Sequence, residues 1–363
     1  MSGKTGRQAI YDLVEGKVSW PPVVVPFGLD PFGWHGRRES YREICNFALG
    51  KCTLLPKVFP VANSLCIGKG IIEKNNKQVR KYELLGAKKL LSMEKVQNPG
   101  DSSWHVRTRW IENEDDFETF LGLKNLPPLE PDIEAVRAKE KQIGEYGLPY
   151  AEISDPFGIV SEMFPTETFY IKILNDTERI MKLLFQTGQR VVDCIEALCR
   201  GTGCPFILRL IGAEMAVPPF LSRDKFLSFE GEFYRRVAEI AGKYNILTAF
   251  HCHGPLREIM ADIWSMGYNF IEPFEPPPRG NVSIAEALTA AEGRGIVFGG
   301  IDDVLLANGS PEDVRIVVRD CLDDARPTGK PFILSQSATP FYDPLPERAK
   351  ENLLLFMELG TLG

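Results

Sequence analysis

Histidine is scarce in this sequence, and long apolar runs are missing. Only four histidines occur among 363 residues. Nowhere do about 18 uncharged apolar residues follow one another, which argues against a membrane-spanning helix. The N-terminus also lacks the apolar core of a secretory signal. We therefore expect a cytoplasmic protein that does not enter a membrane.

Several other signatures are missing as well. Neither GxGxxG nor a P-loop occurs, so nothing supports a nucleotide fold. The formal net charge is −7 and no long basic block occurs, which argues against a general nucleic-acid binder. The eight cysteines are irregularly spaced and form no CxxC pair, so reduced thiols are favoured over disulfides. A small molecule or another protein is the expected partner.

What the sequence does contain, from about residue 204 onward, is an alternation of short apolar segments with amphipathic ones. Strand patterns occur at 205–211, 246–252, 296–298 and 331–334. Helical spacing of apolar residues fills the intervals between them. Such an alternation indicates βα units of a parallel sheet.

The predicted helices carry start signals. Ser222 is an N-cap, Ser283 forms a capping box with Glu286, and Ser310 precedes Pro311 at the first helical position. Because these signals follow strand patterns, they support the same βα rhythm.

The N-terminal half is less regular. Residues 22–27 and 151–154 read as strands, and 176–200 as a long helix. The count of about eight strands predicts an α/β fold, a (β/α)8 TIM barrel forming a single domain over 1–363. Residues from about 28 to 145 are too long for one or two βα units. We predict that this segment contains the start of the barrel and an inserted cap over the site.

The segment His-Cys-His-Gly concentrates two of the four histidines behind an apolar run. His251 and His253 are two residues apart, so on a strand they leave the same face, whereas Cys252 points to the opposite one. A proline-flanked glutamate, Glu272 or Glu275, follows one βα unit later. Two imidazoles and a carboxylate predict a zinc site with an open position. The alternative is an anion site formed by the same imidazoles without metal.

Polar and aromatic residues at other strand ends are further candidates, since TIM barrels carry their chemistry there. Asp155 and Glu214 are predicted to hydrogen-bond a substrate or to give it a proton, although many such acids only cap the next helix. Phe27, Asp30 and Trp34 follow the first strand and are predicted to bind a flat substrate. The alternative for the aromatic residues is packing in the core.

Residues 150–363 resemble the uroporphyrinogen decarboxylase-like superfamily, and within it the cobalamin-dependent methyltransferases. Three stretches besides His251–Gly254 carry the resemblance: Phe-Gly-Gly-Ile-Asp-Asp at 298–303, Asn-Gly-Ser-Pro-Glu-Asp-Val at 308–314, and Pro-Glu-Arg-Ala-Lys-Glu-Asn-Leu at 346–353. The resemblance implies a TIM barrel.

The resemblance also implies a zinc site, but this chain departs from the usual ligands. Methyltransferases of this group have an H-x-C motif and a second cysteine just after the last strand. Here His253 stands in place of the first cysteine, and no thiol occurs near Ser335–Ser337. Cobalamin-independent methionine synthases are similar to this group of methyltransferases. They have a glutamate ligand on the barrel strand that follows the H-x-C motif, which favours Glu275 over Glu272.

The departure changes the chemistry of the expected metal. Two neutral imidazoles and one carboxylate leave zinc more positive than thiolates do, so it is a stronger Lewis acid. Together with the resemblance, this implies a methyltransferase that cleaves the methyl ether of a methoxylated aromatic compound. The methyl acceptor would be the Co(I) of a corrinoid, a cobalamin cofactor, carried by a partner protein.

Three alternatives stay open. The first is methyl transfer from methylcobalamin to a thiol or a folate. The second is a uroporphyrinogen decarboxylase, although Arg7-Gln8-Ala9 matches only the start of the arginine segment that the decarboxylase needs. The third is a non-catalytic binding barrel, which the missing family cysteines would explain.

Overall fold

The structure is a computed structural model of the chain. It describes residues 6–18, 20–61, 68–74, 77–85, 89–97, 104–123, 126 and 128–363. The chain divides into two compact units. The first contains Met1–Pro60, Asp132–Ile153 and Glu196–Gly363, and the second contains Val61–Pro131 and Ser154–Ile195.

The strands of the described residues are numbered in chain order. They are β1 Val23–Val24, β2 Lys57–Val58, β3 Gly68–Lys74, β4 Lys77–Leu85, β5 Leu90–Gln97, β6 His105–Thr108, β7 Tyr150–Ser154, β8 Ile207–Ile211, β9 Leu247–His251, β10 Phe270–Phe274, β11 Ile296–Ile301 and β12 Phe332–Gln336.

The α-helices of the described residues are numbered in the same way. They are α1 Arg7–Val14, α2 Arg42–Lys51, α3 Glu114–Leu121, α4 Ile133–Ile143, α5 Pro156–Ser161, α6 Thr166–Asn175, α7 Thr177–Thr202, α8 Arg223–Lys243, α9 Met260–Ser265, α10 Ile284–Ala291, α11 Asp303–Asn308, α12 Pro311–Ala325 and α13 Glu347–Leu362.

Eight of the strands form one sheet, in the order β1-β12-β11-β10-β9-β8-β7-β2. The pairs from β8 to β1 are parallel, and β2 is parallel to β7. Helices follow the strands from β7 onward. This confirms the predicted α/β class with a parallel sheet built from βα units.

The sheet is curled around an apolar core. One buried cluster contains Val23 of β1, Tyr150 of β7, Ile207 of β8, Phe270 of β10 and Ile333 of β12. The ring of Phe27, just after β1, lies 6.3 Å from that of Tyr150 in β7. In a flat sheet these two strands would be six spacings of about 4.8 Å apart. Curling brings their inner faces together, and the site is built on this inner face.

The helix starts predicted from the sequence are confirmed. Ser222 caps α8, and capping boxes begin α10 at Ser283 and α12 at Ser310. Two boundaries differ from the predictions. The first strand contains only Val23–Val24 rather than 22–27. The helical pattern after the strand at 246–252 forms an α-helix only from Met260, because turns precede it.

The second unit contains an antiparallel sheet in the order β3-β4-β5-β6. These strands fall within 28–145, the segment predicted to contain an insertion, whereas β2, α2 and α4 of that segment belong to the first unit. That the insertion covers the site stays a prediction.

Among the described residues, no helix is long and apolar enough to cross a membrane. All seven described cysteines are free thiols, and six of them are buried. Cys66 lies outside the described residues.

Candidate functional site

The site begins with a register contact between neighbouring parallel strands. His251 is the last residue of β9, and its register partner on β10 is Glu272. Register partners in a sheet point to the same side, so the two side chains meet on the inner face. Nδ1 of His251 lies 2.9 Å from Oε2 of Glu272, and the Glu272 side chain is fully buried.

Glu272 is held in place by two neighbours on the same face. Arg209 donates from Nε to Oε1 of Glu272 at 2.6 Å, and the Tyr150 hydroxyl donates to the same oxygen at 3.2 Å. Arg209 is 2% exposed and also forms an ion pair with Glu152. Burial alone would raise the pKa of Glu272, but Arg209 and His251 hold it well below its ordinary value. The buried carboxylate is therefore charged and compensated.

His251 is held in one orientation by this carboxylate. Burial lowers the pKa of His251, and Glu272 offsets only part of this effect. A neutral imidazole beside a charged carboxylate has its proton on Nδ1, which leaves a lone pair on Nε2. Nε2 lies 3.4 Å from Oε1 of Glu214, and the ring of Phe27 stacks on the imidazole with centroids 6.5 Å apart.

His253 pairs with a second carboxylate. Its Nδ1 lies 3.2 Å from Oε1 of Glu275, whose Oε2 accepts the Gly254 N–H at 2.9 Å. Arg279 also donates to Glu275, at 3.3 Å. Burial would lower the pKa of His253, but Glu275 raises it above its ordinary value. The rings of His251 and His253 are nearly perpendicular, with centroids 4.7 Å apart.

A cavity of about 490 Å³ opens beside His253, whose ring neighbours that of His251. Its walls combine apolar rings with two carboxylates and one guanidinium. The lining residues are Glu214, Pro218, Pro219, Phe220, His253, Gly254, Pro255, Glu275 and Arg279. A volume of this size suits a small organic molecule.

The other predicted acid, Asp155, caps a helix. Its Oδ1 accepts the N–H of Gly158 at 2.6 Å at the start of α5, and the residue belongs to the second unit. Capping is the alternative that the sequence left open. A role of Asp155 in proton transfer stays a prediction.

The three residues predicted to bind substrate have structural contacts of their own. Phe27 is 2% exposed and belongs to the core cluster. Asp30 forms an ion pair with Lys139 at 2.7 Å, and the Arg38 guanidinium lies 3.6 Å above the Trp34 ring. None of the three is among the described residues that line the cavity. Their contact with a substrate stays a prediction.

Sequence reasoning did not single out Arg209, Tyr150 or Arg279. The available signal for Arg209 was a lone charge within the apolar strand β8, Ile207–Ile211. Among the described residues, no set of three or more His, Cys, Asp and Glu side chains is arranged to hold a metal ion. The metal site predicted at His251, His253 and Glu275 therefore stays a prediction.

The family model for uroporphyrinogen decarboxylase matches residues 104–357, which is more than half of the chain. The chain belongs to the uroporphyrinogen decarboxylase family. This confirms the superfamily that the sequence resembles. No curated protein sequence matches this family member at a significant level.

Solved structures support the fold of this uroporphyrinogen decarboxylase family member. A methyltransferase from Methanosarcina mazei is similar over 98% of both chains, with a TM-score of 0.60 and 12% identity. At this identity the likeness shows the fold alone. A ruminal GH26 endo-β-1,4-mannanase matches 62% of this chain and 52% of its own, with 9% identity and a TM-score of 0.39, which is too low to support an argument.

Proposed function

We propose that this protein is a zinc-dependent methyltransferase that cleaves the methyl ether of a methoxylated aromatic compound and passes the methyl group to the Co(I) of a corrinoid protein. The observation that carries the proposal is the pair of histidines, each held through Nδ1 by a carboxylate, beside a cavity of small-molecule size. The fold shared with a methyltransferase supports it.

The donor chemistry fits zinc. Metal-binding histidines typically give one ring nitrogen to the metal and the other to a carboxylate. His251 has this arrangement, because Nδ1 meets Glu272 and leaves Nε2 for an ion. We propose His251, His253 and Glu275 as ligands. The side chain of His253 is 39% exposed, and its ring lies beside that of His251, with centroids 4.7 Å apart.

When bound, zinc supplies Lewis acidity toward an ether oxygen. The protein residues orient and enclose the substrate. Pro218, Pro219 and Phe220 provide apolar walls for a planar ring. In the transfer, the carbon–oxygen bond breaks and the oxygen keeps the electron pair. The Co(I) electron pair forms the new cobalt–carbon bond, and the phenolate then takes a proton. The sequence predicts a carboxylic acid as the source of this proton, with Asp155 and Glu214 as the two candidates.

A decarboxylase of polycarboxylated substrates is less well supported by the charges. Such a substrate needs free cations, but Arg7 pairs with Glu140 at 2.8 Å and Arg38 with Asp343 at 2.8 Å. Around the cavity the carboxylates of Glu214 and Glu275 outnumber the guanidinium of Arg279. This balance disfavours a ligand with several negative charges.

We also propose that the eight-stranded sheet closes into the predicted (β/α)8 barrel. The two edge strands are β1 and β2. Thr53, which precedes β2, donates its N–H to the carbonyl of Val24 in β1 at 2.9 Å. This bond supports a closure between the two edges.

The test combines metal analysis with methyl transfer in both directions. We expect about one zinc per chain in the purified protein, lost in His251→Ala and kept in His105→Ala, which changes an exposed histidine of β6. Incubation with a Co(I) corrinoid protein and a methoxyarene is expected to produce the absorption of methyl–cobalt. A metal-free native protein contradicts the zinc mechanism. Consumption of methylcobalamin with a thiol, but no reaction with methoxyarenes, favours the thiol methyltransferase.

A further inference from the structure

Glu214 stands on the open side of His251, opposite Glu272. It lies in a short 3₁₀ turn, Ala213–Met215, that follows β8. The turn is made possible by Gly212, whose φ of 117° is a conformation that favours glycine. The Glu214 side chain is 33% exposed and lines the cavity.

The contact between Glu214 and His251 is not an ordinary hydrogen bond. Oε1 of Glu214 lies 3.4 Å from Nε2 of His251, whereas N–H···O bonds are most often about 2.9–3.0 Å long. Nδ1 of His251 already donates to Glu272 at 2.9 Å. Because the 3.4 Å separation is too long for an ordinary N–H···O bond, Nε2 and the carboxylate oxygen face each other as two acceptors. Two such acceptors are stable side by side when a cation lies between them.

The separation of the two atoms matches a shared zinc ion. Zinc binds imidazole nitrogen and carboxylate oxygen at about 2.0–2.1 Å in a tetrahedral arrangement. Two donors at that distance and at the tetrahedral angle are about 3.3–3.4 Å apart. The observed 3.4 Å therefore leaves room for an ion bound to both atoms.

Glu275 differs from Glu214 in its other contacts. Its two oxygens accept the Gly254 N–H at 2.9 Å and an Arg279 N–H at 3.3 Å. Hydrogen bonds from a guanidinium and a backbone N–H draw electron density from a carboxylate, so these partners weaken Glu275 as a metal donor.

We propose that Glu214 is a ligand of the metal ion, together with Nε2 of His251. The proposal rests on the zinc of the proposed function and replaces the proton-donor role predicted for Glu214. It adds a donor from the turn after β8 to those at or just after the ends of β9 and β10, so that the ends of three consecutive strands contribute to one site.

The test measures zinc binding rather than turnover. Glu214→Gln keeps the shape of the side chain but removes its charge. We expect its zinc affinity, measured by competition with a chromogenic chelator, to fall more than about 100-fold, beyond the 10–100-fold typical of residues that only orient a ligand. Glu214→Asp is expected to recover part of the affinity. Glu232→Gln on α8, where the side chain is 84% exposed, is the control and should bind as the wild type does.

Cobalt substitution gives a second readout. Co²⁺ in place of zinc absorbs visible light with an intensity that depends on its coordination number and ligands. We expect the spectrum to change in Glu214→Gln and to stay unchanged in the control. The metal-free variants should have the circular dichroism and melting temperature of the metal-free wild type, so that a loss of affinity is not a loss of fold.

The outcomes distinguish the ligand role of Glu214 from the proposed methyl-transfer reaction. Unchanged zinc affinity and an unchanged cobalt spectrum in Glu214→Gln overturn the ligand role, even if the wild type transfers methyl groups. A large loss of affinity without methyl transfer by the wild type supports the ligand and contradicts the proposed reaction. A wild type that binds no zinc overturns the ligand role, since a proton shared by Glu214 and His251 then explains the contact.

Discussion

Nδ1 of His251 lies 2.9 Å from the carboxylate of Glu272, which Arg209 holds from the other side at 2.6 Å. All three side chains are buried on the inner face of the curled sheet. The histidine is therefore oriented by a chain of charged contacts rather than by packing alone.

Glu272→Gln tests whether the carboxylate orients His251. The amide cannot hold the Nδ1 proton as strongly, so the ring loses its fixed tautomer. We expect zinc affinity to fall about 10–100-fold. Nitrogen-15 shifts of the His251 ring should show a mixture of tautomers instead of Nδ1–H. Unchanged shifts and unchanged affinity would mean that the contact has no orienting role.

Arg209→Met tests the buried charge pair. Removing the guanidinium leaves Glu272 charged and buried without its main partner, which typically costs about 3–5 kcal/mol. We expect a loss of this size in the free energy of unfolding, measured with urea. Arg235→Met is the control, because that residue is 51% exposed and pairs with the exposed Glu232. A loss below about 1 kcal/mol, the range of surface ion pairs, contradicts the compensating role.

Phe220→Ala tests the aromatic wall of the cavity. If a methoxyarene ring packs against Phe220, its loss removes about 0.5–1.5 kcal/mol of binding. We expect KM for the methoxyarene to rise about 2- to 13-fold with kcat nearly unchanged. Phe185→Ala is the control, since that side chain lies in α7 and is 72% exposed. A fall in kcat at constant KM would argue against a binding wall.

Glu286→Gln tests the capping box of α10 through pH. Hydrogen bonds from Arg257 and from the Ser283 N–H lower the pKa of Glu286 to about 2. A carboxyl whose pKa falls on folding stabilises the protein above its unfolded pKa, about 4.3, and this contribution is lost as the pH falls toward 2.

We therefore expect the wild type to have a higher melting temperature than Glu286→Gln at pH 6. The difference in melting temperature should shrink between about pH 5 and pH 2. Thermal unfolding at several pH values measures it. Glu351→Gln on the exposed side of α13 is the control and should show a smaller difference. If the difference in melting temperature between the wild type and Glu286→Gln does not change with pH, the carboxylate charge does not contribute to stability.

Much of the local structure could be predicted from the sequence because its signals are local. The caps at Ser222, Ser283 and Ser310 satisfy backbone donors within three residues, so no distant contact is needed to form them. The segment 28–145 was harder to predict, since its residues are divided between two units.

The histidine pair could also be found from the sequence, since His251 and His253 follow one apolar run and their rings are neighbours in the structure. The role of Glu272 could not be predicted from the sequence. Register between β9 and β10 decides that Glu272 meets His251, and register depends on how the strands pair.

By itself, then, the sequence determined the α/β class, the family and the two imidazoles of the site, because each depends on short-range patterns. Only the tertiary structure decided which acid meets which histidine. Glu272 lies against His251 and the buried Arg209, whereas Glu214 stands at 3.4 Å on the open side. These residues come from three strands separated in the chain, and only the curl and register of the sheet bring them together.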